Sequence, residues 1–499
     1  MENALPHTPS LSKKIGLILG PVLFGIVMLF SPDEALSTEA LAVMATTLWI
    51  ATWWISEAIP IEATALLPIV LFPLSGALDL GTTTGAYGHY LIFLFLGGFI
   101  IALAIEKWNL HRRIALNIIY VIGTNNQMLV LGFMVATWFL SMWISNTATS
   151  LMMMPIGLAI IKQLEKDHDP DPRSASPFSK ALMLGIAYSA SIGGMATLIG
   201  TPPNLVFAAV VKATFDIEIS FLQWFIFGLP FSIILTLICW WYLVKIAFNL
   251  EGESSLSGRD QIKAQLKALG PMSKEEKRVL IVFVATAFCW ITRSFLLNLF
   301  IPKLTDTMIA VAGALALFLI AAPNHQGEKL MDWSNTVKLP WGILMLFGGG
   351  LALAAGFTQS GLAEWIGSKM TLMEGIHFIL ILIAITALVN FLTEITSNVA
   401  TASMILPILA SLALAIGIHP YGLMVPAILA ASCAFMLPVA TPPNAVVFGS
   451  GFIQMKDMIR SGLRLNLMSI ILIVVYVFVL LPLLWQLDLN SVPAEFLIP

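Results

Sequence analysis

The sequence predicts an all-α polytopic membrane protein of about eleven transmembrane helices plus two re-entrant helical hairpins, arranged as an inverted repeat. Three observations carry that expectation: an apolar composition, a lopsided distribution of Lys and Arg, and a Ser-Asn motif that occurs twice. Of 499 residues, 58% are hydrophobic and 11% charged, with a mean hydropathy of +0.91. Soluble domains carry roughly 25% charged residues, so this composition belongs in a bilayer. Apolar runs recur at about 20 residues, the length a helix needs to cross the hydrocarbon core. No alternating pattern of an outer-membrane barrel runs through the chain. The net charge of −3 says little, because orientation follows where the basic residues lie. Cys239, Cys289 and Cys433 all sit in apolar spans without CxxC spacing. They read as small core residues. The polar start, MENALPHTPSLSKK, has no cleavage-site pattern and reads as a retained cytoplasmic tail.

Candidate spans run over 15–31, 38–56, 59–77, 89–106, 180–212, 220–248, 278–301, 306–322, 339–358, 419–449 and 463–486. With the N-terminus inside, 21 of the 25 Lys and Arg residues fall on cytoplasmic segments. Only Lys212, Arg293, Lys303 and Lys369 lie toward the other face. That asymmetry obeys the positive-inside rule and sets the C-terminus outside. Two further apolar segments, 126–162 and 375–416, are too long for one span. Both flanks of the first come out cytoplasmic and both flanks of the second external, so each must dip in and return. Broken backbone at membrane depth survives only where protein or a water-filled cavity satisfies it. A hairpin tip therefore marks a cavity.

The tips carry ISNTATSLMMMPI (144–156) and TSNVATASMILPI (396–408). Subtraction, 397 − 145 = 252, aligns Ser145 with Ser397, Asn146 with Asn398, Thr149 with Thr401 and Pro155 with Pro407. Downstream, GTPPN (200–204) matches ATPPN (440–444), with 440 − 200 = 240. Repeats of opposite topology with broken helices are the pattern of secondary transporters, whose sites lie at the repeat interface near the midplane.

The residue types fit ions. A helix that ends and restarts exposes carbonyls on one side and N–H groups on the other. Carbonyls with Ser or Thr hydroxyls and Asn amide oxygens make a hard-oxygen cage for sodium. Helix N-termini suit a carboxylate. Ser141 and Thr393 each stand one turn before a tip serine, giving a second hydroxyl on the same face. Back-bonded hydroxyls that ease helix packing remain an alternative for those two. At Thr-Pro-Pro-Asn, consecutive prolines remove donors and break the helices at their centres. The Gly200 and Ala440 carbonyls then become candidate ion ligands, with Thr201, Thr441, Asn204 and Asn444 at the resumed helix. No Lys, Arg or His lies in the four motifs, so an anion must be held by helix termini, hydroxyls, amides and co-bound cations. Such mutual dependence is coupling. Glu394 is either a buried structural carboxylate bonded to the hairpin backbone or an ion-linked group. There is no HExxH, no Walker A motif and no arginine ladder. An enzyme is not expected, and neither is a nucleic-acid partner.

With these motifs the chain resembles, over nearly its whole length, the divalent anion:sodium symporter family of di- and tricarboxylate transporters. The resemblance implies a homodimer, each protomer with a scaffold domain and an elevator-type transport domain. It implies import of C4-dicarboxylates (succinate, malate, fumarate, sometimes citrate) with co-transported sodium across a bacterial-type inner membrane. A sodium-independent exchanger, or a symporter of sulfate, is the alternative on the same scaffold. Carried over, one sodium site uses Ser141, Ser145, Asn146 and Gly200, and the other Thr393, Thr396, Asn398 and Ala440. Substrate meets Ser145, Asn146 and Thr147 on one side and Ser397, Asn398 and Val399 on the other, with Thr201 and Thr441 nearby. Val399 departs from the family's frequent Thr, which removes a hydroxyl contact. The implied organisation is a tail and scaffold (1–88), first repeat (89–248), connector (249–277), scaffold helices (278–338), second repeat (339–486) and an external tail (487–499). The stretches 108–122 and 360–371 read as interfacial arms.

Overall fold

The computed structural model describes residues 11–29, 36–123, 125–164, 175–250, 257–369 and 377–497. The expected tail 1–10, the end of the second arm at 370–371 and most of the loop between hairpin and broken helix lie outside them. Among the described residues there is no β-strand, only an isolated bridge between Ala321 and Lys329. Seven helical runs there are long and apolar enough to cross a membrane. They include Leu11–Met28, Trp341–Gln359 and the 31-residue helix Met455–Trp485.

Most expected spans are helices near their expected bounds: Thr38–Ser56, Tyr90–Lys107, Phe221–Trp241, Lys274–Thr292 and Asp306–Leu319. The segment 59–77 differs. It divides into Ile61–Thr64 and Leu67–Ser75, because Pro68 suits the first turn of a new helix and not the middle of an old one.

Both Ser-Asn segments are helical hairpins. Helices Asn126–Ser141 and Asn146–Leu164 meet at the first tip, and Phe378–Leu392 and Asn398–Ala415 at the second. Asn125 and His377 cap the entering helices through the N–H groups of Met128 and Ile379, satisfying donors that a helix start leaves open. The two broken helices are Pro177–Gly194 with Pro202–Phe215, and Tyr421–Ala431 with Pro442–Phe448. The breaks lie upstream of the prolines, not at them. Pro202 and Pro442 open the resumed helices, where a missing N–H costs nothing.

Packing is reciprocal. The first hairpin packs on Pro177–Gly194 and the second on Tyr421–Ala431. Each resumed half-helix then crosses over: Pro202–Phe215 packs on Asn398–Ala415, and Pro442–Phe448 on Asn146–Leu164. The amphipathic helices Leu110–Ile122 and Leu362–Lys369 lie against the first and second hairpins respectively. Connector helix Ser257–Ala268 packs on the first of these arms and on Asn146–Leu164. Arg113 joins arm to connector, bonding the Gly270 carbonyl at 3.0 Å and Glu276 at 2.9 Å. Buried Arg293 pairs with Asp306 at 2.7 Å and Glu218 at 2.9 Å. A buried guanidinium needs such partners.

Candidate functional site

Ser145 ends the first tip, and its Oγ accepts from the Ala148 N–H at 3.3 Å, so it caps the helix that Asn146 starts. Ser397 is the N-cap of the matching helix but makes no side-chain cap bond, which leaves its hydroxyl available. Behind the tips the two halves repeat one arrangement. Fully buried Ser141 places Oγ 2.6 Å from the Ala190 carbonyl and 2.7 Å from the Asn146 amide oxygen. Thr393, equally buried, sits 2.9 Å from the Ala431 carbonyl and 2.7 Å from Asn398 Oδ1. A hydroxyl has one hydrogen for these two acceptors. At Asn146, turning the amide would let Nδ2 donate to Ser141 Oγ at 2.7 Å, Ala190 O at 3.1 Å and Gly200 O at 3.3 Å. Unturned, four oxygens converge around one hydrogen. A hard cation is the ligand that relieves such a cluster, and the donor set therefore fits sodium.

The first break brings the Gly200 carbonyl to within 3.3 Å of the Asn146 amide. Gly194 and Gly200 approach so closely that a Cβ on Gly200 would lie 2.5 Å from the Gly194 oxygen. Only glycine permits that return of the chain. Asn204 stitches the first break, its Nδ2 reaching the carbonyls of Gly194, Met195 and Thr197 at 3.2, 3.3 and 2.7 Å. Asn444 stitches the second through Ala434 and Leu437, both at 3.0 Å. Thr201 and Thr441 are the N-caps of the resumed helices, and both are buried.

Glu394 does not bond the hairpin backbone. Its carboxylate accepts from the N–H groups of Phe435, Met436 and Leu437 at 2.7, 2.9 and 3.0 Å, all in the neighbouring break. A fourth bond comes from Asn466 Nδ2 at 2.7 Å. The sequence marks Glu394 as unusual but gives no sign of Asn466, which lies 72 positions away. Thr396 has its own hydrogen bonds beside the tip. Its hydroxyl is engaged by the Leu392 carbonyl at 2.8 Å and by Thr401 at 2.5 Å.

Between the two tips lies a cavity enclosing about 1620 Å³ of empty space, its open mouth included. Ser145, Asn146, Thr147, Gly200 and Thr201 line it from one half, and Thr396, Ser397, Asn398, Val399, Ala440 and Thr441 from the other. Ser141 and Thr393 stand behind that wall. The opposite wall is Phe99, Ile343 and Leu346, with Lys13, Glu57 and Glu62 toward the mouth. The sequence gives no sign of Lys13, Glu57 or Glu62 at the mouth, because nothing in residues 13–62 repeats a motif.

A sequence model described as "Sodium:sulfate symporter transmembrane region" matches residues 12–487. The chain belongs to this symporter family. Similar family members include the "Sodium-dependent dicarboxylate transporter SdcS" of Staphylococcus saprophyticus, 51% identical over 96% of this chain and 93% of that protein. The protein of that name from Staphylococcus aureus strain USA300 is 49% identical over 97% and 94%. Two solved transporters share the fold at 14% identity. They are MtrF of Neisseria gonorrhoeae (TM-score 0.57, 96% of each chain) and YdaH of Alcanivorax borkumensis (TM-score 0.58, 90% of this chain and 99% of that one).

Proposed function

We propose that this chain is a secondary active transporter that imports C4-dicarboxylates together with sodium. The observation that carries the reading is one cavity walled by two Ser-Asn tips, each backed by a buried oxygen cluster. Cations held in the two clusters place positive charge behind the tips. Helix N-termini at Asn146 and Asn398 aim N–H groups the same way. A dianion between them is then held without any basic side chain, and only while the cations are present. Each ligand raises the other's affinity by the same factor. An empty first cluster is self-satisfied by the turned Asn146 amide, and a cation turns the amide oxygen inward. The two relatives named as sodium-dependent dicarboxylate transporters support this cargo.

The two halves act as an inverted repeat whose hairpins, broken helices and intervening spans move as one transport domain. The helices near 38–77 and 274–319 form a static scaffold and the contact to a second protomer. With basic residues inside, the mouth at Lys13 faces the cytoplasm of a bacterial-type inner membrane, and the cavity is open inward. Succinate uptake into proteoliposomes under a sodium gradient tests the reading. Uptake that ignores sodium but needs internal dicarboxylate would replace it with an exchanger. Uptake of sulfate in preference to succinate would replace the cargo.

A further inference from the structure

Among the described residues, the cavity's transport wall contains no ionisable side chain, yet its mouth contains three: Lys13, Glu57 and Glu62. Lys13 is the one basic residue among those lining the cavity. Its place is fixed by how the first helix packs. Gly16 presses on the end of helix Thr38–Ser56, where a Cβ would meet Ser56 Oγ at 1.9 Å, and Gly20 presses on the rings of Trp49 and Trp53 at 2.5 to 2.8 Å. Lys13 lies three residues before Gly16, on the same helix face, and so reaches over the end of that neighbour. There Glu57 stops the helix in a left-handed turn, with φ of 46° and its N–H on the Trp53 carbonyl. Glu57 is thus held beside Lys13, and their charges are 3.5 Å apart. Both side chains are well exposed, at 44% and 65%. Such a pair is weak and open to exchange with a better partner.

Without Lys13 the described residues of the rim would carry two acids and no base, which repels a departing dianion. With it, the ammonium can exchange the Glu57 carboxylate for a substrate carboxylate when one passes. We infer that Lys13 is a substrate-positioning residue at the mouth, handed between Glu57 and the dianion, and that it sets apparent dicarboxylate affinity on the face it guards. This rests on the dicarboxylate reading above. Because Lys13 stands on the wall opposite the motifs, its influence is confined to that one face, and cation binding at the buried clusters is independent of it.

The test is succinate counterflow at saturating sodium, in inside-out vesicles and in right-side-out cells. In the vesicles Lys13→Gln raises the half-saturating succinate concentration about two- to fivefold. Lys13→Arg restores it, and Glu57→Gln lowers it. The increase shrinks at high ionic strength, while sodium half-saturation and right-side-out uptake stay at the wild-type value. Wild-type affinity in the Lys13→Gln vesicles at low salt overturns the inference. So does Lys13→Arg behaving like Lys13→Gln, or an equal change on both faces, since each marks a packing role. Wild-type vesicles without sodium-driven succinate exchange overturn the functional reading itself, and this inference with it.

Discussion

Both breaks back an oxygen cluster and both are stitched by an Asn amide through their carbonyls, but only the second is also held by a buried carboxylate. The first, residues 195–201, is tied through its carbonyls and the Thr197 hydroxyl. Trp224 Nε1 donates to Met195 O at 3.0 Å, Asn204 to three carbonyls, and Thr197 Oγ1 to Met142 O at 2.7 Å. The second, residues 432–441, is longer and turns a row of N–H groups inward. These need an acceptor, and Glu394 supplies it, standing where the offset of 252 puts Met142 in the first half. Gly462 lets the final helix press against this segment, where a Cβ would lie 2.2 Å from Phe435 O, and so brings Asn466 to Glu394. The lesson is that a duplicated site preserves its ligands while its supports diverge. Neutral bonds are replaceable singly. A buried carboxylate with four donors is not, because removing it leaves all four unsatisfied.

Five substitutions sharpen or break this comparison. The largest expected effects are at the shared ligands. Asn146→Ala and Asn398→Ala should each reduce sodium-driven uptake about ten- to hundredfold, the worth of a bond to a charged group. Size-exclusion chromatography should leave the assembly unchanged. Near-normal uptake by either variant would remove that cluster from the cation sites. Next comes Glu394→Gln, which leaves at least one buried N–H facing another donor, at a cost of about 1–3 kcal/mol. Thermal unfolding in detergent should begin earlier, and sodium half-saturation should rise. Thr197→Val, its counterpart on the first break, removes a single neutral bond worth about 1 kcal/mol, and its effect on both readouts should be smaller. Equal effects would contradict the asymmetry. The smallest change is Val399→Thr, which restores a hydroxyl at the buried cavity wall opposite Thr147. Competition assays should show a change of about two- to tenfold in preference among succinate, citrate and sulfate.

Much of this was legible in the sequence, for physical reasons. Hairpins and spans follow from apolar length and basic flanks, and the tips from Ser-Asn at equal offset. What escaped was set by tertiary contact. Ala190 and Ala431 offer only backbone oxygens, and no residue type marks a carbonyl as a ligand. Asn466 lies in an unbroken apolar helix whose register against residue 435 depends on one glycine. Lys13 reads as a tail charge until the Gly16–Ser56 contact brings it over the cavity. The prolines were assigned the breaks themselves, whereas they start the next helix. The unwinding falls earlier, at Gly193-Gly194 and at Ser432, where small residues let neighbouring chains approach.

The central claim is that two cation clusters and one dianion site form a single coupled unit. It is tested most directly by titrating sodium against labelled succinate uptake in proteoliposomes at several succinate concentrations. The account predicts a sigmoidal sodium dependence with a Hill coefficient above about one. It also predicts that rising succinate lowers the sodium half-saturation point. Uptake that is hyperbolic in sodium, with a half-saturation point indifferent to succinate, would contradict it.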